Sequence, residues 1–282
     1  MTKLSVIILS YTKSLSIFEM TKRCVESLRV SEQSNENIQI EIIIIESNKN
    51  YNQENFIYGS NIKIIVPQEN FNFHRFLNIG IKASSGDFVA LCNNDLIFYK
   101  NWFTEIIKIN KRYPNIKSFS PNEPSPLVNS KITFETGYKI RSIVKGWCIV
   151  FDKNLINTIG YLDETFDFYF ADNDYAMTLR MYNIRHALVL NSFVEHLGKQ
   201  TVPHLKEGAA IDKSFLDKYI IPKYLRKANY QYVLGSERNL SGFLKFHNKW
   251  GSPNLIHRKG KVADILIKYR LGYFVRFFLR IN

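Results

Sequence analysis

Four short apolar runs punctuate the first 95 residues, and each has the length of a strand rather than a helix. Leu4 to Leu9 stops at Ser10-Tyr11-Thr12-Lys13. Gln39 to Ile45, continuously apolar from Ile42, ends in Glu46-Ser47-Asn48. Ile62 to Val66 ends at Pro67, and Phe88 to Cys92 ends in Asn93-Asn94-Asp95. Such runs predict buried strands. Between them, Ile17, Met20, Cys24 and Leu28 recur at helical spacing within Ile17 to Arg29. Phe73, Phe76, Leu77 and Ile81 do the same, and Ser84-Ser85-Gly86 closes that helix. Strands alternating with helices imply parallel βαβ units covered on both faces. The first 120 or so residues read as one nucleotide-binding-type half.

The fourth run carries the chemistry. Open α/β sheets build ligand sites outside the carboxyl ends of their strands. Asp95 offers a hard anionic oxygen there, suited to Mg²⁺ or Mn²⁺ holding a phosphate. Asn93 and Asn94 add uncharged polar groups. A plain Asn-rich turn is the competing reading of the same residues.

Beyond residue 120 the pattern changes. Pro121, Pro124 and Pro126 crowd a loop, and Ile132 to Val144 has mixed short-strand character. Gly146 to Phe151 reads as a strand, Asp152 to Ile159 as a short helix capped by Asp152, Tyr175 to Tyr182 as a helix and Ala187 to Leu190 as a strand. Asp212 to Lys227 reads as a helix interrupted near Pro222. No internal repeat is present.

With 45% hydrophobic and 22% charged residues over 282 positions, the composition is that of a folded soluble protein. No apolar run approaches the roughly 18 residues of a spanning helix, and Leu4 to Leu9 is too short for a signal peptide's apolar region. Cys24, Cys92 and Cys148 are odd in number, far apart and set in apolar runs, as expected of buried thiols in a reducing compartment. The net charge of +13 points to an anionic partner: nucleic acid, a membrane surface or a phosphorylated substrate. Much of the excess is late. Arg258, Lys259, Lys261, Lys268, Arg270, Arg276 and Arg280 stand against Asp264 alone.

The order of these features, from Leu4 to about Thr201, resembles the family 2 glycosyltransferases of GT-A fold. Val6 to Tyr11 resembles their first strand and Ile42 to Asn48 their second. Glu69 to Gly80 resembles their Asn-x-Gly helix entry, with Asn78 and Gly80 in place. Asn93-Asn94-Asp95 stands where the family carries its Asp-x-Asp metal motif. Gly160 to Glu164 resembles the segment before the catalytic acid pair, Ala171 to Asp174 stands where Glu-Asp-x-Asp is usual, and His196-Leu197-Gly198 resembles a His-x-Gly metal-ligand motif. There are departures. Glu46 stands where Asp is commoner, the metal motif keeps only its last carboxylate, Phe73-His74-Arg75 replaces a smaller run, and Ala171 replaces Glu.

The resemblance implies an α/β fold, GT-A or Rossmann-like, with a mostly parallel sheet, helices on both faces and a helical C-terminal extension. It divides the chain into a GT-A domain at 1–210 (a nucleotide half at 1–120, an acceptor half at 121–210) and a C-terminal region at 211–282. It implies a metal-dependent, inverting transferase moving a sugar from a UDP- or dTDP-sugar, UDP favoured, to a hydroxyl on a saccharide or lipid-linked acceptor in bacterial surface polysaccharide or glycoconjugate synthesis. Asp172 takes the role of general base, with Asp174 and Asn93 in support. Asp95 and His196 are metal ligands for Mn²⁺ or Mg²⁺. Ser10, Tyr11, Glu46, Asn78, Asn94 and Trp147 hold the nucleotide sugar. Each has a plainer alternative: Asp172 as a helix cap, Glu46 as a solvated strand end, Trp147 as core. His74 and Arg75 read as surface residues of a helix.

Ile265, Leu266, Tyr269, Tyr273, Phe274, Phe277, Phe278 and Ile281 fall mostly on one face of a helix over Ala263 to Ile281, flanked by Lys268, Arg270, Arg276 and Arg280. A basic amphipathic helix of this kind suits an anionic membrane surface, here the cytoplasmic face of the cell membrane. The alternative is that its apolar stripe docks on the catalytic domain. Three other functions fit parts of the pattern: glycosyl transfer to modified DNA, a non-catalytic basic nucleic-acid-binding protein, and a GT-A domain that binds without turnover. No recognised nucleic-acid motif accompanies the charge.

Overall fold

The computed structural model describes residues 1–52, 54–124, 132–198 and 214–279. The expected boundary at 210/211, the end of the resemblance at Thr201, and Pro126, Asp212, Arg280 and Ile281 lie outside them, as does the side chain of Phe278.

The chain runs β1 (Thr2–Ser10), α1 (Leu15–Ser31), β2 (Ile38–Glu46), β3 (Ile62–Ile65), α2 (Phe73–Ala83), β4 (Phe88–Asn93), β5 (Leu96–Phe98), α3 (Trp102–Arg112) and β6 (Ile116–Asn122). There follow β7 (Phe134–Thr136), β8 (Cys148–Asp152), α4 (Ile156–Ile159), α5 (Ala171–Met181), β9 (Arg185–His196), α6 (Gln231–Leu234), α7 (Glu237–Trp250), α8 (Pro253–Lys268) and α9 (Val275–Leu279).

Among the described residues the strands form one sheet in the order β3-β2-β1-β4-β8-β6-β9-β5, with β7 beside β9. The first four are parallel, as the alternating pattern requires. From β4 onward the sheet is mixed: β8 is antiparallel to both β4 and β6, while β6 and β9 are parallel. The expected parallel character thus belongs to β3, β2, β1 and β4.

Alternation along β1 divides the core. Leu4, Val6 and Ile8 join Cys24, Val25 and Leu28 of α1 and Trp102, Phe103 and Ile106 of α3 on one face. Ile7 points to the other, with Phe76, Leu77 and Ile81 of α2 and Tyr175, Ala176 and Leu179 of α5. Gly80 is required by this second face, because a Cβ there would lie 2.5 Å from the Ile7 side chain.

The segment Asp212 to Lys227 differs from expectation where it is described. It forms two 3₁₀ turns, Ser214–Lys218 and Lys223–Arg226, on either side of Pro222, which cannot donate to a continuing helix. The tail differs too. α8 ends at Lys268, Arg270 adopts a left-handed backbone (φ 62°), and a 3₁₀ turn at Gly272–Phe274 leads into α9. Gly272 sits against Asn183, whose side chain leaves no room for a Cβ. The buried face is not the expected stripe. Ala263, Val275 and Leu279 bury against Met177 and Met181 of α5, whereas Tyr269, Tyr273, Phe274 and Phe277 are exposed, Tyr273 to 79%.

Candidate active site

The carboxyl ends of β1, β2 and β4 bring Ser10, Glu46 and Asn93 side by side, through the register pairs Ser10↔Glu46 and Leu9↔Asn93. Glu46 is fully buried. Its Oε1 accepts from the backbone N–H groups of Thr12 (3.0 Å) and Asn48 (2.8 Å), and its Oε2 from Thr12 Oγ1 (2.7 Å). Ser10 Oγ lies 3.2 Å from Thr12 Oγ1 and 3.3 Å from Thr21 Oγ1, and Tyr58 Oη is 2.7 Å from Thr12 Oγ1. Glu46 and Ser10 therefore shape the loop after β1 from within, and Tyr11 is left half-exposed on its outside. Thr12, Thr21 and Tyr58 complete this network, although no spacing in the sequence connects them.

Asn94 is buried and donates to Thr21 Oγ1 at 2.9 Å. Asp95 is 2% exposed, and its Oδ1 accepts no hydrogen bond. His196 Nε2 stands 3.3 Å from that oxygen without hydrogen-bond geometry, and 3.5 Å from Asn93 Nδ2. β9 is longer than the expected Ala187 to Leu190. Its last residues pair with β5 in the register Leu96↔His196, which delivers the imidazole to Asp95. A buried carboxylate oxygen without a donor is costly. A divalent cation shared with the imidazole would satisfy it, so this donor pair fits the expected metal. Among the described residues no group of three or more His, Cys, Asp or Glu side chains gathers to hold a metal. Oxygens of a bound diphosphate and water would complete the coordination, the usual habit of Mg²⁺.

Trp147 stacks on His196 with centroids 5.5 Å apart and planes at 17°, and its carbonyl accepts from the Asn93 N–H at 3.0 Å. The preceding Gly146 touches Asp172. A Cβ on Gly146 would sit 2.8 Å from Asp172 Oδ2. Two consecutive residues thus join the Asp95–His196 pair to the expected base. Asp172, Gly146, Asn93, Phe73, His74 and Tyr175 are among the walls of one small cleft.

α5 starts at Ala171, four residues earlier than the apolar spacing predicts, so Asp172 and Asp174 both lie in its first turn. Asp172 Oδ1 accepts from the Asn173 N–H at 2.9 Å. Burial pushes its carboxyl above the usual aspartate range, against the opposing pull of the N–H groups of Asn173 and Asp172 itself and of Arg141. Asp174 faces away from the cleft and is 2% exposed, held by Trp250 Nε1 and Lys249 Nζ, both at 2.7 Å.

Asn78 is spent on the protein. Its Nδ2 donates to the Leu162 carbonyl (2.9 Å) and its Oδ1 accepts from the Leu162 N–H (3.0 Å). Its neighbours act alike: Asn72 Nδ2 donates to the Glu164 carbonyl (2.7 Å) and Arg75 Nε to Glu164 Oε2 (2.8 Å). His74 is not on the surface as expected but 2% exposed. Its Nδ1 lies 2.7 Å from the Asp163 carbonyl, and burial lowers its pKa. α2 is in this way tied to the segment Gly160 to Glu164.

Residues 5–121 match the family model described as Glycosyl transferase family 2. No curated protein matches the chain. Among solved structures, the chain is similar to S. aureus TarS 1–349 in complex with UDP-GlcNAc (15% identity, TM-score 0.55, covering 76% of this chain and 64% of that one). It is also similar to S. aureus TarS (15%, 0.51, 68% and 36%) and to GalNAc-T7 with UDP, GalNAc and Mn²⁺ (13%, 0.55, 69% and 44%). At these identities the likeness shows the fold. The chain spans between 36% and 64% of the length of these three.

Proposed function

We propose, from the premise that this chain is a family 2 glycosyltransferase with a GT-A-like fold, that it transfers a sugar from a nucleotide diphosphate, UDP favoured, to an acceptor hydroxyl with inversion. The observation that carries the reading is the donor-less Asp95 Oδ1 beside His196, whose imidazole adjoins Asn93, a wall of the cleft that Asp172 also lines. TarS was solved with UDP-GlcNAc and GalNAc-T7 with UDP and Mn²⁺, which supports the choice of carrier and cation.

In this reading Asp172 takes the proton from the acceptor hydroxyl. The acceptor oxygen bonds to the anomeric carbon from the face opposite the diphosphate, and the carbon–oxygen bond to the diphosphate breaks with its electron pair on the leaving group. A raised carboxyl pKa makes Asp172 a stronger base than a solvated aspartate. Asp95 and His196 would hold Mn²⁺ or Mg²⁺, which as a Lewis acid would neutralise charge on the departing diphosphate. Tyr11 and the loop that Glu46 braces meet the nucleoside, and Asn94 and Trp147 border the diphosphate and sugar. A thermal-shift panel of nucleotide sugars with and without Mn²⁺ is expected to show a rise in Tm for one UDP-sugar that requires the cation. No rise with any nucleotide sugar would refute the reading.

We place the reaction at the cytoplasmic face of an anionic membrane, with a lipid-linked or surface-polysaccharide saccharide as acceptor. No helix among the described residues is long and apolar enough to cross a membrane. The support is the exposed set Tyr269, Tyr273, Phe274 and Phe277, with exposed Lys268, Arg270 and Arg276 around it. Aromatics among cations suit a headgroup boundary, and each cation near it adds about 1 kcal/mol. Because Ala263, Val275 and Leu279 pack on α5, the test keeps them and changes the outer face alone. Tyr273→Ser with Phe277→Ser is expected to abolish co-sedimentation with vesicles containing phosphatidylserine while leaving Tm within a few degrees. Equal sedimentation of wild type and variant would exclude this face as the anchor.

A further inference from the structure

The first turn of α5 has no capping side chain. Phe170 at its N-cap adopts a left-handed backbone (φ 64°) and makes no side-chain cap bond. What holds the turn comes from α7, about 75 residues later in the chain. The Phe170 ring lies 5.5 Å from Phe243 and 5.6 Å from Phe246, and Ala171 packs with Phe246 and Trp250. A Cβ at Gly242 would lie 2.8 Å from the Tyr169 carbonyl, so α7 approaches the backbone leading into the turn as closely as a helix can. At the end of α7, Lys249 Nζ bridges Asp174 Oδ1 and Asp163 Oδ2, each at 2.7 Å, and Trp250 Nε1 donates to the same Asp174 oxygen. That end is itself fixed, with the Gly251 N–H on the His247 carbonyl (2.9 Å) and His247 Nδ1 2.7 Å from the Gly251 carbonyl.

We infer that Lys249 is a positioning residue for sugar transfer: it ties the first turn of α5 to the Asp163 segment and so fixes where Asp172 points. Lys249 touches neither Asp172 nor the cleft that Asp172 lines. It acts two residues away, through the buried Asp174. One cation shared by two carboxylates offsets the burial of Asp174, and removing it leaves that carboxylate with the indole N–H alone. The consequence for the base is geometric, and a displacement of about 1 Å in a reacting group can cost about 10²-fold in rate. The inference rests on the reading of Asp172 as the base.

The test compares full-length wild type, Lys249→Met and Lys249→Arg by steady-state transfer, by calorimetry of UDP with Mn²⁺, and by amide hydrogen exchange. Lys249→Met is expected to lower kcat roughly tenfold or more with the donor KM and UDP affinity unchanged. Exchange is expected to rise at Ala171 to Tyr175 and not in β1 or β4. Lys249→Arg, which keeps the charge and can still span both carboxylates, is expected to recover most of kcat. A Lys249→Met protein with wild-type kcat and wild-type exchange would overturn the inference. So would one in which kcat, UDP affinity and exchange across the sheet all deteriorate together, since Lys249 would then serve the fold as a whole. If wild type transfers no sugar, the functional reading falls. Exchange at Ala171 to Tyr175 then decides separately: faster exchange in Lys249→Met supports the tie, and unchanged exchange overturns it.

Discussion

Asp172→Asn is expected to lower turnover by roughly 10²-fold or more, the scale of a lost general base, while UDP binding with Mn²⁺ stays at its wild-type affinity. Asn keeps the shape that fits against Gly146 and loses the ability to accept a proton. Stability moves the other way. A carboxyl whose folded-state pKa is raised is a liability once ionised. The cost is absent below the ordinary aspartate pKa, grows as pH rises through the raised value and is constant above it. Above the raised pKa the full cost is present in wild type, and Asn removes it. The variant is therefore expected to melt at or above the wild-type Tm while being nearly inactive. In wild type, activity should fall on acidification as pH drops through the raised pKa of Asp172, because the base becomes protonated. Rate–pH profiles and calorimetry check both. A variant with near wild-type turnover would move the role of base to another residue.

Asp95→Ala is expected to abolish cation-dependent binding of UDP. The Asp95 oxygen nearest His196 accepts no hydrogen bond from the protein, so Ala forfeits no hydrogen bond there. The variant should thus fold and keep its Tm without ligand, yet lose the Mn²⁺-dependent component of affinity. Titrating UDP with and without Mn²⁺ separates the two. An unchanged Mn²⁺-dependent affinity would exclude Asp95 as a ligand, and a large fall in unliganded Tm would mean that its burial serves the fold.

What the sequence disclosed follows the range of the interactions. The strands ending at Ser10, Glu46 and Asn93 were legible because a strand buried on both faces is apolar throughout, and its end is marked where that stops. The helical start of Asp172 was not, because Phe170 caps α5 by backbone conformation rather than by a Ser, Thr, Asn or Asp side chain. His74 reads as a surface residue of a helix because nothing near it reveals that the Asp163 carbonyl will cover it. α3 escapes the reading even though Trp102, Phe103, Ile106 and Ile107 are buried on it. Its start carries the usual marks, Asn101 ahead of Trp102 and Glu105 in the first turn, but Asn101 is left-handed and its side chain makes no cap bond. Lys249 and Trp250 lie beyond the residues matched by the family model, and their contact with Asp174 spans some 75 positions. The tail misleads for a different reason. Its apolar residues have one periodicity, but the turn at Tyr269–Arg270 rotates the second part, so Ala263, Val275 and Leu279, which lie off that stripe, pack on α5 while Tyr269, Tyr273, Phe274 and Phe277, which lie on it, face solvent.

The tie between α2 and Gly160 to Glu164 bears on how chains of this fold can be recombined. Asn72, His74, Arg75 and Asn78 all reach across to Leu162, Asp163 or Glu164, and most of those bonds end on main-chain atoms. Main-chain partners tolerate substitution on the far side but not a change of path. A chimera that takes its chain through α2 from one parent and the chain from Gly160 onward from another therefore need not match residues across the seam. It must match the course of the chain between Gly160 and Glu164, and a crossover placed there would leave α2 with four side chains and nowhere to put them.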